Sequence, residues 1–235
     1  MKPIIGVISY PYYDKDNTMV FETSEKVVKW VNEVGGISIC IVPSNNDNYY
    51  EEHKRNLKDL NKEELLDLKR ILSMCDGIIK PGSYYFFPFQ KEIYKYTLKT
   101  GIPYLGICNG MQLMPFTTDN LKMEKNNSDV CHSNGYHRVY IKNNTLLYSI
   151  LNKEEIVVKS FHNYHIPRIN DDYIVTSRSR DGYIESVEHK ELPYNIGVQW
   201  HPEADNNENS YNLFESFVVA SKVYNLTKNK KKYNI

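Results

Sequence analysis

The sequence predicts an α/β fold: a single domain with a mostly parallel central sheet flanked by helices and an added antiparallel strand region. Short apolar runs alternate with helical patterns up to residue 107, which is typical of parallel strands covered on both faces. After residue 130 the chain changes to closely spaced short strands. Its 235 residues suit one domain with a sizeable core.

The first half of the chain alternates between strands and helices. Apolar runs predict strands over residues 3–9, 37–42, 78–80 and 102–107, and apolar residues at helical spacing predict helices over 22–34, 62–73 and 90–98. Gly35-Gly36 ends the first helix, because glycine is common just past a helix C-terminus. The resulting β-α order favours a parallel sheet.

The second half predicts the antiparallel region and a closing helix. Strands are expected over residues 136–141, 156–160, 173–177, 183–188 and 195–199, and a helix over 208–223. We assign residues 1–225 to the domain. Residues 226–235 carry a run of lysines and are expected to form a basic, disordered tail.

Composition argues against several classes of partner. The 29 basic and 29 acidic side chains give a formal net charge of zero, which disfavours binding to nucleic acid or an anionic membrane. No apolar run approaches the length of a transmembrane helix, and the first residues lack a signal-peptide core. The four cysteines lie far apart, so no disulfide framework is expected. These features favour a cytoplasmic protein.

The first candidate catalytic segment is Gly106-Ile107-Cys108-Asn109-Gly110, which joins an apolar strand to a predicted helix. Glycines two before and two after the cysteine allow the backbone to crowd closely, as in the nucleophile elbow of serine hydrolases. The following helix directs free N–H groups toward the cysteine and favours its thiolate. Alone, the segment fits a buried structural cysteine equally well.

A second segment favours the catalytic interpretation. Gly197-Val198-Gln199-Trp200-His201-Pro202-Glu203 is a short apolar strand that leads to a histidine and a glutamate two residues apart. Residues at this spacing share a face of an extended segment. A cysteine nucleophile needs a base, and the base needs a carboxylate to orient it, so Cys108, His201 and Glu203 are predicted to form a triad.

Together these motifs resemble the class I glutamine amidotransferase superfamily, and within it the γ-glutamyl hydrolase-like branch, peptidase family C26. Ser160-Phe161-His162 is similar to that branch's Ser-Phe-His strand, and residues 179–188 are similar to its Asp-Gly-x-Ile-Glu hairpin. The matches run in the family's order from residue 3 to about residue 203. The resemblance implies the flavodoxin-like fold of the glutamine amidotransferases.

The resemblance also implies further site residues. Asn109 follows the nucleophile, so elbow geometry makes its backbone N–H one oxyanion-hole donor. By resemblance the second donor is the backbone of Gly82, and Gln112, Ser160, Phe161 and His162 bind the substrate's glutamyl part. The family usually has Pro-Gly-Gly followed shortly by Asp, whereas this chain has Pro81-Gly82-Ser83-Tyr84-Tyr85.

The aromatic run that follows, over residues 84–89, is predicted either to cover the sheet edge or to bind a planar leaving group. Cys131, His132, His137 and His165 do not have the spacing of a zinc motif, and we interpret these histidines as surface or loop residues. No metal and no cofactor are expected.

The family chemistry implied for the chain is cleavage of a γ-glutamyl amide through a cysteine thioester, releasing glutamate and an amine. The alternative is a glutaminase subunit that acts on glutamine and passes ammonia to a partner synthetase. A retired enzyme that only binds ligands is a third interpretation, which the intact triad disfavours. The leaving group and the oligomeric state stay open.

Overall fold

The computed structural model describes residues 1–43 and 57–233. Strands and helices alternate first, and strands dominate the second half. The strands are β1 Ile4–Ile8, β2 Tyr10–Tyr13, β3 Met19–Glu22, β4 Ile37–Ile41, β5 Gly77–Lys80, β6 Tyr104–Ile107, β7 Glu124–Lys125, β8 Gly135–Ile141, β9 Glu155–Ser160, β10 Tyr164–His165, β11 Tyr173–Ser179, β12 Ile184–His189 and β13 Asn195–Val198. The helices are α1 Glu25–Glu33, α2 Lys62–Met74, α3 Pro88–Thr100, α4 Asn109–Asp119, α5 Leu146–Leu151 and α6 Glu208–Tyr233.

One sheet of nine strands, in the order β4-β1-β5-β6-β13-β12-β11-β8-β9, organises the protein. The first five of these strands run parallel, and the remaining pairings are antiparallel. The predicted α/β class is therefore confirmed. The antiparallel strands continue the parallel sheet directly, since β12 pairs with β13 along Ser186–Val198 and Glu188–Ile196.

Helices cover both faces of the parallel half. On one face α1 and α6 pack together, and the Trp30 and Phe214 rings stack with their centroids 5.6 Å apart. On the other face α2, α3 and α4 supply a second core cluster. Strands β5, β6 and β13 are buried along their whole length, which explains their continuous apolar sequences.

Helix α6 extends to Tyr233, ten residues beyond its predicted end. The predicted disordered tail differs from this structure up to that residue, and its last two residues lie outside the described residues. The helix has a local anchor: Lys228 Nζ donates to the carbonyl oxygens of Ser73 and Cys75, both at 3.0 Å, and lies 3.1 Å from Asp76 Oδ1. A basic segment looks like a solvated tail in sequence, but here one lysine neutralises a buried aspartate and caps the end of α2.

Among the residues that the structure describes, none of the helices combines the length and apolar character needed to cross a bilayer.

The sheet brings three chain segments to one edge. Strands β5, β6 and β13 are adjacent and parallel, so their carboxyl ends lie side by side. Gly82, Cys108 and His201 follow these three ends in the sequence. Ligands of open α/β sheets bind at this edge.

The two glycines around Cys108 are required by close backbone packing, as predicted. A Cβ on Gly106 would lie 2.5 Å from the carbonyl oxygen of Gly110, and a Cβ on Gly110 would lie 2.1 Å from that of Lys80. Neither oxygen belongs to a flexible side chain. Only glycine therefore lets α4 begin so close to β5 and β6.

We expect Gly110→Ala to lower the free energy of unfolding by about 3 kcal/mol, since the added methyl group forces backbone apart in a packed core. Gly101→Ala is the matched control, because that site has open space and only a left-handed φ of 68° to oppose the substitution. It is expected to cost about 1 kcal/mol. Urea unfolding of both variants checks this, and equal losses would contradict the packing argument.

Candidate active site

Cys108 lies on a strained turn between β6 and α4. Its backbone has φ 52° and ψ −107°, a region that non-glycine residues rarely occupy. The turn is held from both sides, because Cys108 N–H donates to the Val198 carbonyl at 2.7 Å and the Gln112 N–H donates to the Cys108 carbonyl at 3.1 Å. Such strain persists only where the surroundings enforce it, and it is concentrated at functional sites.

His201 and Glu203 follow the end of β13. The His201 Nδ1 atom lies 2.7 Å from Glu203 Oε1, so the carboxylate holds one ring nitrogen in its N–H form. The backbone N–H of His201 donates to the Lys159 carbonyl on β9 at 2.9 Å, which fixes the segment against the antiparallel half of the sheet. The other ring nitrogen, Nε2, has no hydrogen-bond partner among the described residues and stays available to a neighbouring thiol.

Gly82 lies against both Cys108 and His201. A Cβ built on Gly82 would lie 2.8 Å from His201 Cε1, 3.5 Å from His201 Nε2 and 3.4 Å from Cys108 Cβ. Any side chain at position 82 would therefore push the imidazole away. The fold brings these three predicted site residues together at the edge of the sheet.

The electrostatics of the pair favour a charged histidine. Burial lowers the pKa of His201, but the nearby Cys108 sulfur and the Glu203 carboxylate raise it, and the net result is a pKa well above the ordinary value. A protonated imidazole is therefore stabilised at this position.

Lys80 is a site residue that the sequence analysis missed. It ends β5, is only 1 % exposed, and donates from Nζ to the Pro81 carbonyl at 2.9 Å, to Ser83 Oγ at 2.8 Å and to Asn109 Oδ1 at 3.1 Å. Ser83 Oγ in turn donates to Asn109 Oδ1 at 2.7 Å. Burial lowers the pKa of Lys80 to about 7, and the Cys108 charge opposes that shift.

This network ties together the two loops that carry Gly82 and Asn109. Ser83 occupies the place where the family pattern has its second glycine, and its hydroxyl bridges the β5 loop to the start of α4. The signal in the sequence was a single lysine at the end of an apolar strand. Such a residue is rarely buried without several partners.

The residues implied as substrate contacts differ in their exposure and partners. Phe161 is 41 % exposed and its ring meets His201 edge-on at 5.4 Å. Ser160 is buried and its hydroxyl donates to the His132 carbonyl at 2.8 Å. His162 is buried too, because residues 160 and 162 share the face opposite to Phe161.

Gln112 is used within the protein. Its Nε2 donates to the Tyr164 carbonyl at 2.9 Å and to Gln199 Oε1 at 3.0 Å, so both amide hydrogens are occupied. Only its Oε1 is left to accept a hydrogen bond. In this structure Gln112 joins α4 to the segments after β9 and β13.

The aromatic run over residues 84–89 is partly buried and partly exposed. Phe87 and Phe89 are buried in the core, whereas Tyr84 and Tyr85 are exposed. Phe86 stacks on Phe116 at 4.3 Å. Together with Leu57, Asp59 and Lys91, part of this run lines an open groove of about 350 Å³.

His132 lies in the loop before β8, as interpreted, whereas His137 and His165 lie on β8 and β10. A surface position is wrong for these histidines, because all three are buried. His165 stacks on Tyr183 at 3.8 Å. The other two meet His162 and Glu185 on the antiparallel half of the sheet. His132 precedes β8 and His137 lies on it, and this spacing does not match a metal-binding motif in the sequence.

Comparison with known proteins supports the same family. Residues 87–203 match the family model Peptidase C26. Over 228 aligned residues the chain is 26 % identical to a GMP synthase (glutamine-hydrolysing) of Dictyostelium discoideum, covering 87 % of this chain and 31 % of that protein. Over 130 residues it is 27 % identical to the γ-glutamyl-CDP-amidate hydrolase of Campylobacter jejuni, covering 55 % of this chain and 56 % of that protein. The chain thus matches between about a third and just over half of these relatives.

Solved structures show the same fold at lower identity. A putative GMP synthase subunit of Thermoplasma acidophilum superposes with a TM-score of 0.70 at 18 % identity, over 97 % of this chain and 98 % of that one. The glutaminase domain of a Trypanosoma brucei CTP synthase superposes with a TM-score of 0.68 at 16 % identity, over 94 % of both chains. The sequence matches thus support membership of the class I glutamine amidotransferase superfamily, and the two solved structures share the fold of this chain.

Proposed function

We propose that this protein hydrolyses a γ-glutamyl amide through a Cys108 thioester, releasing glutamate and an amine. One observation carries the proposal: Cys108 on its strained turn, His201 with its Glu203 partner, and Gly82 meet at one edge of the sheet. That set supplies a nucleophile, a base and backbone near the reacting carbon.

The reaction follows from these positions. His201 Nε2 takes the thiol proton as Cys108 sulfur bonds to the γ-carbonyl carbon, and the carbonyl oxygen becomes an oxyanion. The backbone N–H groups of Gly82 and Asn109 stabilise that charge. When the C–N bond breaks, His201 returns the proton to the leaving amine. Water, deprotonated by His201, then cleaves the thioester and frees glutamate and the thiol.

Lys80 acts here as a positioning residue. Its three hydrogen bonds hold the Pro81–Ser83 loop against the Asn109 side chain, so both oxyanion donors keep their places. Preorganised donors cost no reorganisation when the negative charge develops.

A partner-dependent glutaminase is the second candidate, and it uses the same triad on glutamine. Two similarities favour it: the GMP synthase relative is glutamine-hydrolysing by name, and the similar Trypanosoma brucei structure is the glutaminase domain of a CTP synthase. The Peptidase C26 match and the γ-glutamyl-CDP-amidate hydrolase relative favour the hydrolase.

Glutamate release by the purified chain distinguishes the two candidates. We expect faster release from a γ-glutamyl amide, tested over a panel of aliphatic, aromatic and nucleotide amines, than from glutamine. Cys108→Ala should lower the rate at least about 1000-fold, because the nucleophile is lost. Cys131→Ala, at an exposed cysteine, is the control and should keep the activity. If glutamate is released from glutamine but from none of the γ-glutamyl amides, and only after a partner protein is added, the result would support the glutaminase proposal and contradict the hydrolase proposal.

Lys80 predicts a pH-dependent stability. Its pKa of about 7 in the folded protein lies below the unfolded value near 10.5, so between these values the unfolded chain binds more protons and stability rises with pH. The rise from pH 7 to pH 9 is about 2 kcal/mol for this one group. Urea unfolding at pH 7 and pH 9 should show that the free energy of unfolding rises more in the parent protein than in Lys80→Met, with this difference as the contribution of Lys80. The same dependence on pH in both proteins would contradict the assignment.

The same variant tests the positioning role. Lys80→Met should lower kcat more than it changes KM, since the loops shift the oxyanion donors and leave ground-state binding largely intact. A loss of about 10-fold or more is expected from a disturbed oxyanion hole. Lys95→Met, at an exposed lysine on α3, is the control.

A further inference from the structure

A group of four ionisable side chains lies buried in the antiparallel half of the sheet. His132 precedes β8, His137 lies on β8, His162 follows β9 and Glu185 lies on β12. Glu185 is fully buried. We call these four residues the His–Glu cluster. None of them is used in the reaction proposed above.

Three donor atoms of the cluster converge on one point. His132 Nδ1 lies 3.2 Å from His162 Nε2, and Glu185 Oε1 lies 3.5 Å from His132 Nδ1 and 3.6 Å from His162 Nε2. Ligand atoms held about 2.1 Å from a tetrahedral zinc ion are about 3.4 Å apart. The three separations therefore match three corners of a zinc site.

The outer ring nitrogens determine which atoms carry protons. His132 Nε2 lies 3.0 Å from Asp181 Oδ2, and His162 Nδ1 lies 3.0 Å from the Tyr164 carbonyl oxygen. Both oxygens are acceptors, so each of these nitrogens bears the hydrogen. The inward nitrogens of His132 and His162 then present lone pairs to each other and to Glu185.

Three acceptors facing one another without a donor repel unless a cation lies between them. Both carboxylate oxygens of Glu185 lack a hydrogen-bond partner within residues 1–43 and 57–233. A buried carboxylate is unfavourable unless nearby positive charge or hydrogen bonds replace its lost hydration. A divalent ion at the centre removes both the repulsion and the lost hydration.

His137 lies beside the same carboxylate. Its Nε2 lies 3.1 Å from Glu185 Oε1, and its ring meets that of His132 edge-on at 4.5 Å. His137 is therefore a neighbour of the three converging atoms through its contact with Glu185.

We propose that His132 Nδ1, His162 Nε2 and Glu185 Oε1 bind one Zn²⁺ ion. Two imidazoles and one carboxylate suit zinc, and the absence of thiolates among the three disfavours copper(I) and iron–sulfur clusters. Asp181 completes a carboxylate–histidine–zinc arrangement through His132. This proposal is independent of the reaction that Cys108 performs.

The ion would fix the segment that carries Phe161 beside the active site. The His132 carbonyl accepts both the His162 N–H and the Ser160 hydroxyl, each at 2.8 Å, so the ligand segments before β8 and after β9 are already joined. Phe161 lies between the two bonded residues and faces His201. Zinc bound by His132 and His162 would fix the direction of Phe161 without touching substrate.

Metal content and thermal unfolding of the full chain test the proposal. The protein is stripped with a chelator, mixed with ZnCl₂, dialysed and analysed by elemental mass spectrometry. We expect one zinc ion per chain and a higher Tm with zinc than without. Cys108→Ala is the first control, since Cys108 and His201 are the competing zinc ligands, and it should keep the full equivalent.

Cobalt distinguishes the two sites directly. CoCl₂ in the His–Glu cluster should give visible d–d bands without the intense near-ultraviolet band of a cobalt–thiolate bond. A thiolate band that disappears in Cys108→Ala would place the metal at the active-site cysteine and overturn the proposal.

Variants complete the test. Glu185→Gln should abolish binding, and Asp181→Asn, which leaves all three ligands in place, should weaken zinc affinity by 10- to 100-fold. His189→Asn, outside the cluster, should bind zinc normally. Less than one tenth of an equivalent of zinc in the stripped and reloaded parent protein, with no change in Tm, would overturn the proposal and leave a proton as the cation between these side chains.

Discussion

The turn at Cys108 is the constraint on which the site depends. A left-handed, strained residue between β6 and α4 requires α4 to begin directly against the strands, and Gly106 and Gly110 permit that approach because any Cβ there would overlap backbone. The hydrogen bond from Cys108 N–H to the Val198 carbonyl ties the turn to β13, the strand that leads to His201. Strain at the cysteine and placement of the histidine are thus two results of one packing arrangement.

Buried polar groups hold the loops around this turn. Lys80 joins the loop after β5 to the start of α4, and the His–Glu cluster joins the segment before β8 to the segment after β9. In both places a charged group is shielded from water and surrounded by acceptors. Such groups stabilise a structure only when all of their hydrogen-bond and charge partners are present. The positions of these loops therefore depend on each of the partners.

Much of the architecture could be predicted from local patterns. The parallel strands are short apolar runs, the helices carry apolar residues at helical spacing, and most predicted boundaries lie within two residues of the observed ones. The end of α6 was the main error, because the lysines that suggested a solvated tail include Lys228, whose partner Asp76 lies far away in sequence. The candidate nucleophile, base and carboxylate were predictable as well, since glycine spacing and the His-Pro-Glu segment are local signals.

The roles of Gln112, Ser160 and His162 could not be predicted in this way, because they depend on which distant atoms meet their side chains. Two of those side chains bond to carbonyl oxygens from other segments, and His162 meets Glu185 across the sheet. The contacts of Lys80 and of the His–Glu cluster could not be predicted for the same reason, because their partners come from distant segments. Sequence by itself determines the order of strands and helices, the elbow and the family, through short-range spacing and hydrophobic periodicity. Only the tertiary structure decides which buried lysine, histidines and glutamate face one another, since their partners are brought together by sheet pairing between residues tens of positions apart.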